Sequence, residues 1–148
     1  MKAIRPWAIS LAMILFGSQM TSADQHGLTL TARVSGGTPN KGQVIISLFT
    51  SPTNYLKTPV IKRTKPIDGS GQASVRFDHL TPATYSLSVI YDEDGDGELD
   101  TGFMGIPTEL VGFSNNAKGL FGPPSFEETA FNLAASKTVH IVLGNAKD

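Results

Sequence analysis

Apolar and polar residues alternate along several short segments of this chain. The clearest case is Thr84–Tyr91, where aromatic and aliphatic residues take every second position and serines lie between them. Such alternation places one face of a β-strand in a core and the other face outward. The segments with this pattern or a short apolar, β-branched run are Leu28–Val34, Val44–Phe49, Val60–Thr64, Ala73–Phe77, Thr84–Tyr91, Phe131–Leu133 and Val139–Leu143.

Turn-forming residues separate these segments, chiefly glycine, proline, asparagine and aspartate. The chain shows no long helical period and no internal repeat. About seven short strands with frequent turns are typical of an all-β domain. We therefore expect a single antiparallel β-sandwich of the Greek-key type.

The exception to this pattern is the segment 102–127, which contains four phenylalanines, five glycines and three prolines. Connections longer than about 12–15 residues without secondary structure are uncommon, and they are often functional. The aromatic content argues against a disordered linker. Ser125 and Glu128 have the spacing of a capping box, which predicts one helical turn.

Two interpretations of this segment remain open. In the first, it is one long ordered loop whose phenylalanines pack against the edge of the sandwich. In the second, it presents a binding surface, on which Phe113, Asn115 and Asn116 would contact a sugar, a peptide or a partner protein. Asparagine suits both, because it adopts positive φ in turns and also forms hydrogen bonds with ligands.

The first 23 residues have the pattern of a secretory signal peptide. Lys2 and Arg5 precede the short apolar run Trp7–Phe16, and small residues lead to a cleavage position before Asp24. An uncleaved N-terminal anchor is the alternative, although the run is short for a membrane span. We expect one domain over 24–148 in the periplasm or secreted, with no membrane span after cleavage.

Composition narrows the partners of this domain. Loss of Lys2 and Arg5 changes the formal net charge from −1 to −3, and no basic stripe indicates nucleic acid. The chain contains no cysteine. A secreted domain without disulfides depends on its core and on any metal that it binds.

Six carboxylates lie within the nine residues 92–100, with no basic residue among them. A folded chain holds such a cluster most easily around a hard cation with oxygen ligands. Aspartates occupy positions 1, 3 and 5 of a calcium loop, and Gly97 occupies position 6, where the backbone turns sharply. The predicted calcium ligands, with the carbonyl at position 7 and the water-mediated ligand at position 9, are Asp92, Asp94, Asp96, Glu98 and Asp100.

The loop departs from an EF-hand, since it follows a strand and carries Phe103 at position 12 in place of a bidentate glutamate. A further oxygen ligand must then come from the adjoining segment, where the candidates are Glu109, Asn115, Asn116 and Glu127. We expect a structural ion of modest affinity. The alternative is an acidic, solvated turn without an ion.

Catalytic motifs are not evident. The three histidines are widely separated, no serine lies in a nucleophile elbow, and the acids cluster on one loop instead of flanking a cleft. We expect a non-enzymatic, exported interaction module whose partner is an envelope protein or a glycan. The alternative is a metal- or carboxylate-dependent hydrolase at the mouth of the long loop.

Several runs resemble a bacterial secreted family, the domain-of-unknown-function family 2141. The runs that carry the resemblance are 41–44, 77–85, the acidic loop, 105–107, 112–116 and 121–126. This family has no established activity, so the resemblance implies export from the cytoplasm and a family name, but no reaction. A broader similarity is to transthyretin-like and collagen-adhesin-repeat sandwiches, some of which bind calcium structurally in a similar loop. Ala83 stands where their turn usually has glycine.

Overall fold

The computed structural model describes residues 27–146, so the predicted signal peptide lies outside the described residues. Strands account for most of the regular structure, and all seven predicted strands are present. An eighth strand, β6, lies inside the segment expected to be a loop. The strands are β1 Leu28–Ser35, β2 Gln43–Phe49, β3 Ile61–Pro66, β4 Gln72–Leu80, β5 Ala83–Asp92, β6 Val111–Phe113, β7 Phe131–Leu133 and β8 Lys137–Val142.

These strands form two sheets. One has the order β4-β1-β8, and the other has the order β3-β2-β5-β6, with β7 also paired to β5. The expectation of a wholly antiparallel fold is wrong at one place, because β1 and β8 pair in parallel. The remaining strand pairs are antiparallel. A parallel pair needs a long connection between its strands, and nearly the whole chain provides it here.

The inner faces of both sheets share one hydrophobic cluster. Leu30, Ala32 and Val34 of β1 are buried, whereas Arg33 between them is exposed. Phe77 of β4 and Tyr91 of β5 are the largest of the fully buried side chains in this core. Alternation therefore predicted the buried face of these strands correctly.

Strand β5 is buried on both faces. Ser86 is inaccessible, and its hydroxyl lies 2.7 Å from the hydroxyl of Thr129. The hydroxyl of Ser114 accepts a hydrogen bond from the backbone N–H of Leu87 at 2.9 Å and donates to the carbonyl of Thr129. The segment 102–127 thus continues across the second face of β5, where it satisfies buried polar groups.

The long segment is ordered but is not one loop. It contains β6, two 3-10 turns at Phe103–Gly105 and Ser114–Asn116, and the start of the short helix α1, Phe126–Thr129. The predicted capping box of α1 is confirmed, since the Ser125 and Glu128 side chains each accept from the other's backbone N–H.

Its phenylalanines do not all pack against the domain. Phe126 packs edge-to-face on Tyr55, with ring centroids 5.8 Å apart, and Tyr55 packs in the same way on Phe49 at 5.4 Å. Phe103 is 87% exposed and Phe121 is fully exposed, so the expectation that they cover the sheet edge is wrong.

Over residues 27–146, no helix has the length and apolarity that a membrane crossing requires.

Candidate metal centre

The acidic loop begins where β5 ends, and its backbone bends sharply at two glycines. Asp92 is the last residue of β5, and the backbone bends at every residue from Glu93 to Glu98. Gly95 and Gly97 have φ angles of +84° and +85°, a left-handed conformation that favours glycine. The sharp turn expected at Gly97 is therefore present.

Asp92 is the buried anchor of this loop, with a side chain that is 0% exposed. Its Oδ1 accepts from the backbone N–H of Gly95 at 2.7 Å. Its Oδ2 accepts from the N–H of Gly97 at 3.0 Å and from Nε2 of Gln43 at 2.7 Å. Burial on its own would raise the pKa of Asp92, but these hydrogen bonds outweigh burial and hold that pKa below its ordinary value.

Asp94 and Asp96 are exposed, and each folds back on the loop. Oδ1 of Asp94 accepts from the backbone N–H of Asp96 at 3.2 Å, and Oδ1 of Asp96 accepts from the N–H of Glu98 at 2.8 Å. Carboxylate oxygens of Asp92, Asp94 and Asp96 all lie within 4.8 Å of one another. The spacing 1, 3, 5 therefore brings three carboxylates to one point.

A second group of carboxylates shares one member with the first. Oxygens of Asp94, Asp100 and Glu109 also lie within 4.8 Å of one another. Glu109 accepts from the backbone N–H of Glu93 at 2.9 Å and from that of Asp100 at 3.1 Å. This half-buried side chain therefore joins the two ends of the loop.

The donor set consists of carboxylate oxygens, which is the chemistry that calcium prefers. Phe103 at position 12 cannot supply a side-chain ligand, because its side chain has no oxygen and is 87% exposed. Glu109, six residues further on, has a carboxylate oxygen within 4.8 Å of those of Asp94 and Asp100. Of the four candidates that the sequence offered, Glu109 is the one in a carboxylate group with loop residues.

The two asparagines of the predicted ligand-binding set instead hold neighbouring backbone. Nδ2 of Asn115 donates to the carbonyls of Glu128 and Ala130, at 3.0 and 2.9 Å. The Asn116 amide accepts from the N–H of Val142 at 2.9 Å and donates to the carbonyl of His140 at 3.4 Å.

Phe113, the third member of that set, is half-buried on β6. The structure does not bring Phe113 and the two asparagines to the carboxylate cluster, and their role in ligand binding stays a prediction.

Sequence reasoning did not identify Gln43, which holds Asp92 from the neighbouring strand. The two residues are register partners in the β2–β5 pair, so only strand pairing reveals the contact. Glu93 is not a member of either carboxylate group among the described residues. It forms an ion pair with Lys41, and this hydrogen-bonded contact raises the pKa of Lys41.

The chain belongs to the DUF2141 family, described as uncharacterized proteins conserved in bacteria. The family model matches residues 32–141, which include both sheets and the acidic loop. The resemblance inferred from the sequence motifs is thereby confirmed. A search of curated proteins and a search of solved structures each found no match.

Proposed function

We propose that this protein is an exported interaction module whose acidic loop holds a calcium ion in a structural role. The observation that carries the proposal is the shared position of Asp94, which belongs to both carboxylate groups. One ion between these groups would contact ligands from the loop and from Glu109 beyond it. Its charge would offset the mutual repulsion of the carboxylates.

We further propose that the two sheets form a Greek-key sandwich of the transthyretin-like kind. The support is the single hydrophobic cluster to which both sheets contribute, together with the chain crossing repeatedly between them. A sandwich leaves loops free at both ends of the sheets, and such loops carry binding functions in many proteins.

The apolar hairpin after the acidic loop supports an interaction role. It comprises residues 101–107 and is closed by the bridge between Thr101 and Pro107. At its tip, Phe103 and Met104 are 87% and 83% exposed. The N–H of Thr108 donates to the carbonyl of Asp100 at 2.9 Å, so the hairpin is fixed to the loop that would hold calcium.

Calcium would therefore stabilise the base of the hairpin 101–107, whose exposed apolar tip would bind the partner. The signal peptide would direct the protein to the periplasm or the cell exterior. The occupant of the tip would be an envelope protein or a glycan. Aromatic side chains suit both, because they bury a large apolar area at low cost in conformational entropy.

The metal is tested by thermal unfolding of the domain in calcium and in chelator. A loop without the bidentate glutamate has an expected Kd near 10⁻³ M, so about 10 mM calcium stabilises by about 1.4 kcal/mol. For a domain of this size that raises Tm by about 5 °C. The double variant Asp94→Asn, Asp96→Asn should show no rise.

Glu127→Gln is the matched control, because this exposed acid lies outside both carboxylate groups and should leave the calcium response intact. An unchanged wild-type Tm in calcium would refute the metal assignment. An equal rise in magnesium would indicate general charge screening instead of a calcium site.

The interaction role is tested by recovering partners from envelope extract with the tagged domain. Recovery should fall in chelator and in the variant Phe103→Ser, Met104→Ser. Val142→Ser is the control, since Val142 is a 59% exposed apolar residue elsewhere on the domain. Recovery that ignores both chelator and the tip variant would contradict this role.

A further inference from the structure

Two arginines on the outer face of the three-stranded sheet differ in their partners. Arg33 of β1 and Arg76 of β4 are both exposed on the side away from the core. Nη2 of Arg76 lies 2.8 Å from Oδ1 of Asp78, and the same oxygen accepts from the hydroxyl of Thr29 at 2.8 Å. Arg33, by contrast, has no carboxylate partner anywhere between residues 27 and 146.

Strand register places other polar side chains beside Arg33. It pairs with His140 of β8 on one side and with Ser74 of β4 on the other. Two residues further along β1, on the same face, Ser35 pairs with Gln72. Register partners on neighbouring strands lie about 5 Å apart and project from the same face. The parallel β1–β8 pair is therefore what brings the histidine next to the arginine.

A depression of about 240 Å³ lies over this part of the sheet, lined by Arg33, Val34, Ser35, Gln72 and His140. Its polar side chains can all donate hydrogen bonds: a guanidinium, an amide, a hydroxyl and an imidazole. No carboxylate lines it. A concave surface with several donors and a fixed positive charge favours an anion.

We propose that this depression binds a small oxyanion, a carboxylate or phosphate group. The planar guanidinium of Arg33 would donate two parallel N–H hydrogen bonds to two oxygens of the anion, a geometry that suits both groups. Gln72 and His140 would donate from the flanking strands. The volume is below the 300–1,000 Å³ range of drug-sized ligands, so the ligand has only a few heavy atoms or presents only its charged end.

This site is independent of the calcium loop, because it is built on the other sheet and shares no residue with the acidic cluster. It also differs from Arg76, whose charge is already met by Asp78. The contrast between these two arginines on one face supplies a matched control.

The test is to titrate the isotope-labelled domain with acetate and with inorganic phosphate at constant ionic strength. The NMR chemical shifts of its backbone amides report binding. Shifts should concentrate around residues 33–35, 72–74 and 139–141, with a Kd in the millimolar range because the site is open to solvent. Arg33→Gln should raise that Kd by about tenfold or more, whereas Arg76→Gln should leave it within about twofold.

His140→Gln provides a second variant, and it should weaken binding less than Arg33→Gln. Binding of acetate alone would identify a planar carboxylate as the ligand, and binding of phosphate alone would identify a tetrahedral anion. The proposal is overturned if neither ion shifts these amides. It is equally overturned if Arg33→Gln and Arg76→Gln weaken binding alike, since that indicates general attraction to positive charge.

Discussion

Replacing Asp92 by asparagine separates the folding role of the acidic loop from its metal role. The substitution keeps the shape of the side chain but removes its charge and one acceptor oxygen. In the structure this buried carboxylate accepts three hydrogen bonds, from Gln43, Gly95 and Gly97. An asparagine amide has one acceptor oxygen, so its NH₂ group must meet at least one N–H donor.

The magnitude follows from these contacts. If the amide oxygen of the asparagine takes the position of Oδ2, its NH₂ group takes the position of Oδ1. In the wild type Oδ1 lies 2.7 Å from the backbone nitrogen of Gly95, so two donors would face each other there. One charge-assisted hydrogen bond is lost, and the other two become neutral and weaker. The free energy of unfolding should fall by about 3 kcal/mol, and Tm by about 10 °C.

The assay is urea and thermal denaturation in chelator, so that calcium binding contributes nothing. Asp94→Asn is the control, because Asp94 is exposed and makes one 3.2 Å contact within the loop. It should change stability by about 0.5 kcal/mol or less in chelator. In calcium, both variants should lose the stabilisation by the ion.

Two results would refute this reasoning. If Asp92→Asn unfolds in chelator with the wild-type midpoint, the hydrogen bonds at Asp92 do not stabilise the fold. If Asp94→Asn is as destabilising as Asp92→Asn, burial of one carboxylate is not what distinguishes these positions.

Two further predictions concern pH and packing. The pKa of Asp92 is lowered in the folded state, so its contribution to stability is present above the unfolded value of about 3.9 and is lost as pH falls towards the folded value. In urea denaturation below about pH 4, the wild type should therefore lose more stability than Asp92→Asn, and parallel losses would contradict this. Gly112→Ala should destabilise by about 1–3 kcal/mol in thermal melts, because its Cβ would lie 2.6 Å from a methyl group of Ile141. Gly144→Ala is its control, with no atom within 4 Å of the added Cβ, and equal melting points would contradict the packing argument.

The elements that depend on local pattern were predictable. Alternation along β1 and β5 predicted the face that enters the hydrophobic core, and the spacing of Ser125 and Glu128 predicted the start of α1. The alternation did not predict that the serines on the other face of β5 are buried as well. The carboxylate group of Asp92, Asp94 and Asp96 is also local, since it arises from three positions within five residues.

Features that depend on pairing between distant segments were not predictable. The contact of Gln43 with Asp92 and the parallel β1–β8 pair arise from register. Strand β6 has only three residues with Gly112 at its centre, a composition that gives almost no strand signal. Phe103 and Phe121 are exposed whereas Phe126 packs on Tyr55, a difference that depends on contacts with distant segments.

The pairing of the first strand with the last has a consequence for when this domain can form. The N–H of Thr29 donates to the hydroxyl of Ser136, 107 residues away in the chain, and β1 lies between β4 and β8 in its sheet. A chain that crosses a membrane from its N-terminus would present β1 long before β8 arrives. The three-stranded sheet could then be completed only when β8 has crossed. Until then, the backbone N–H and C=O groups on one edge of β1 would be unpaired and could bind another chain.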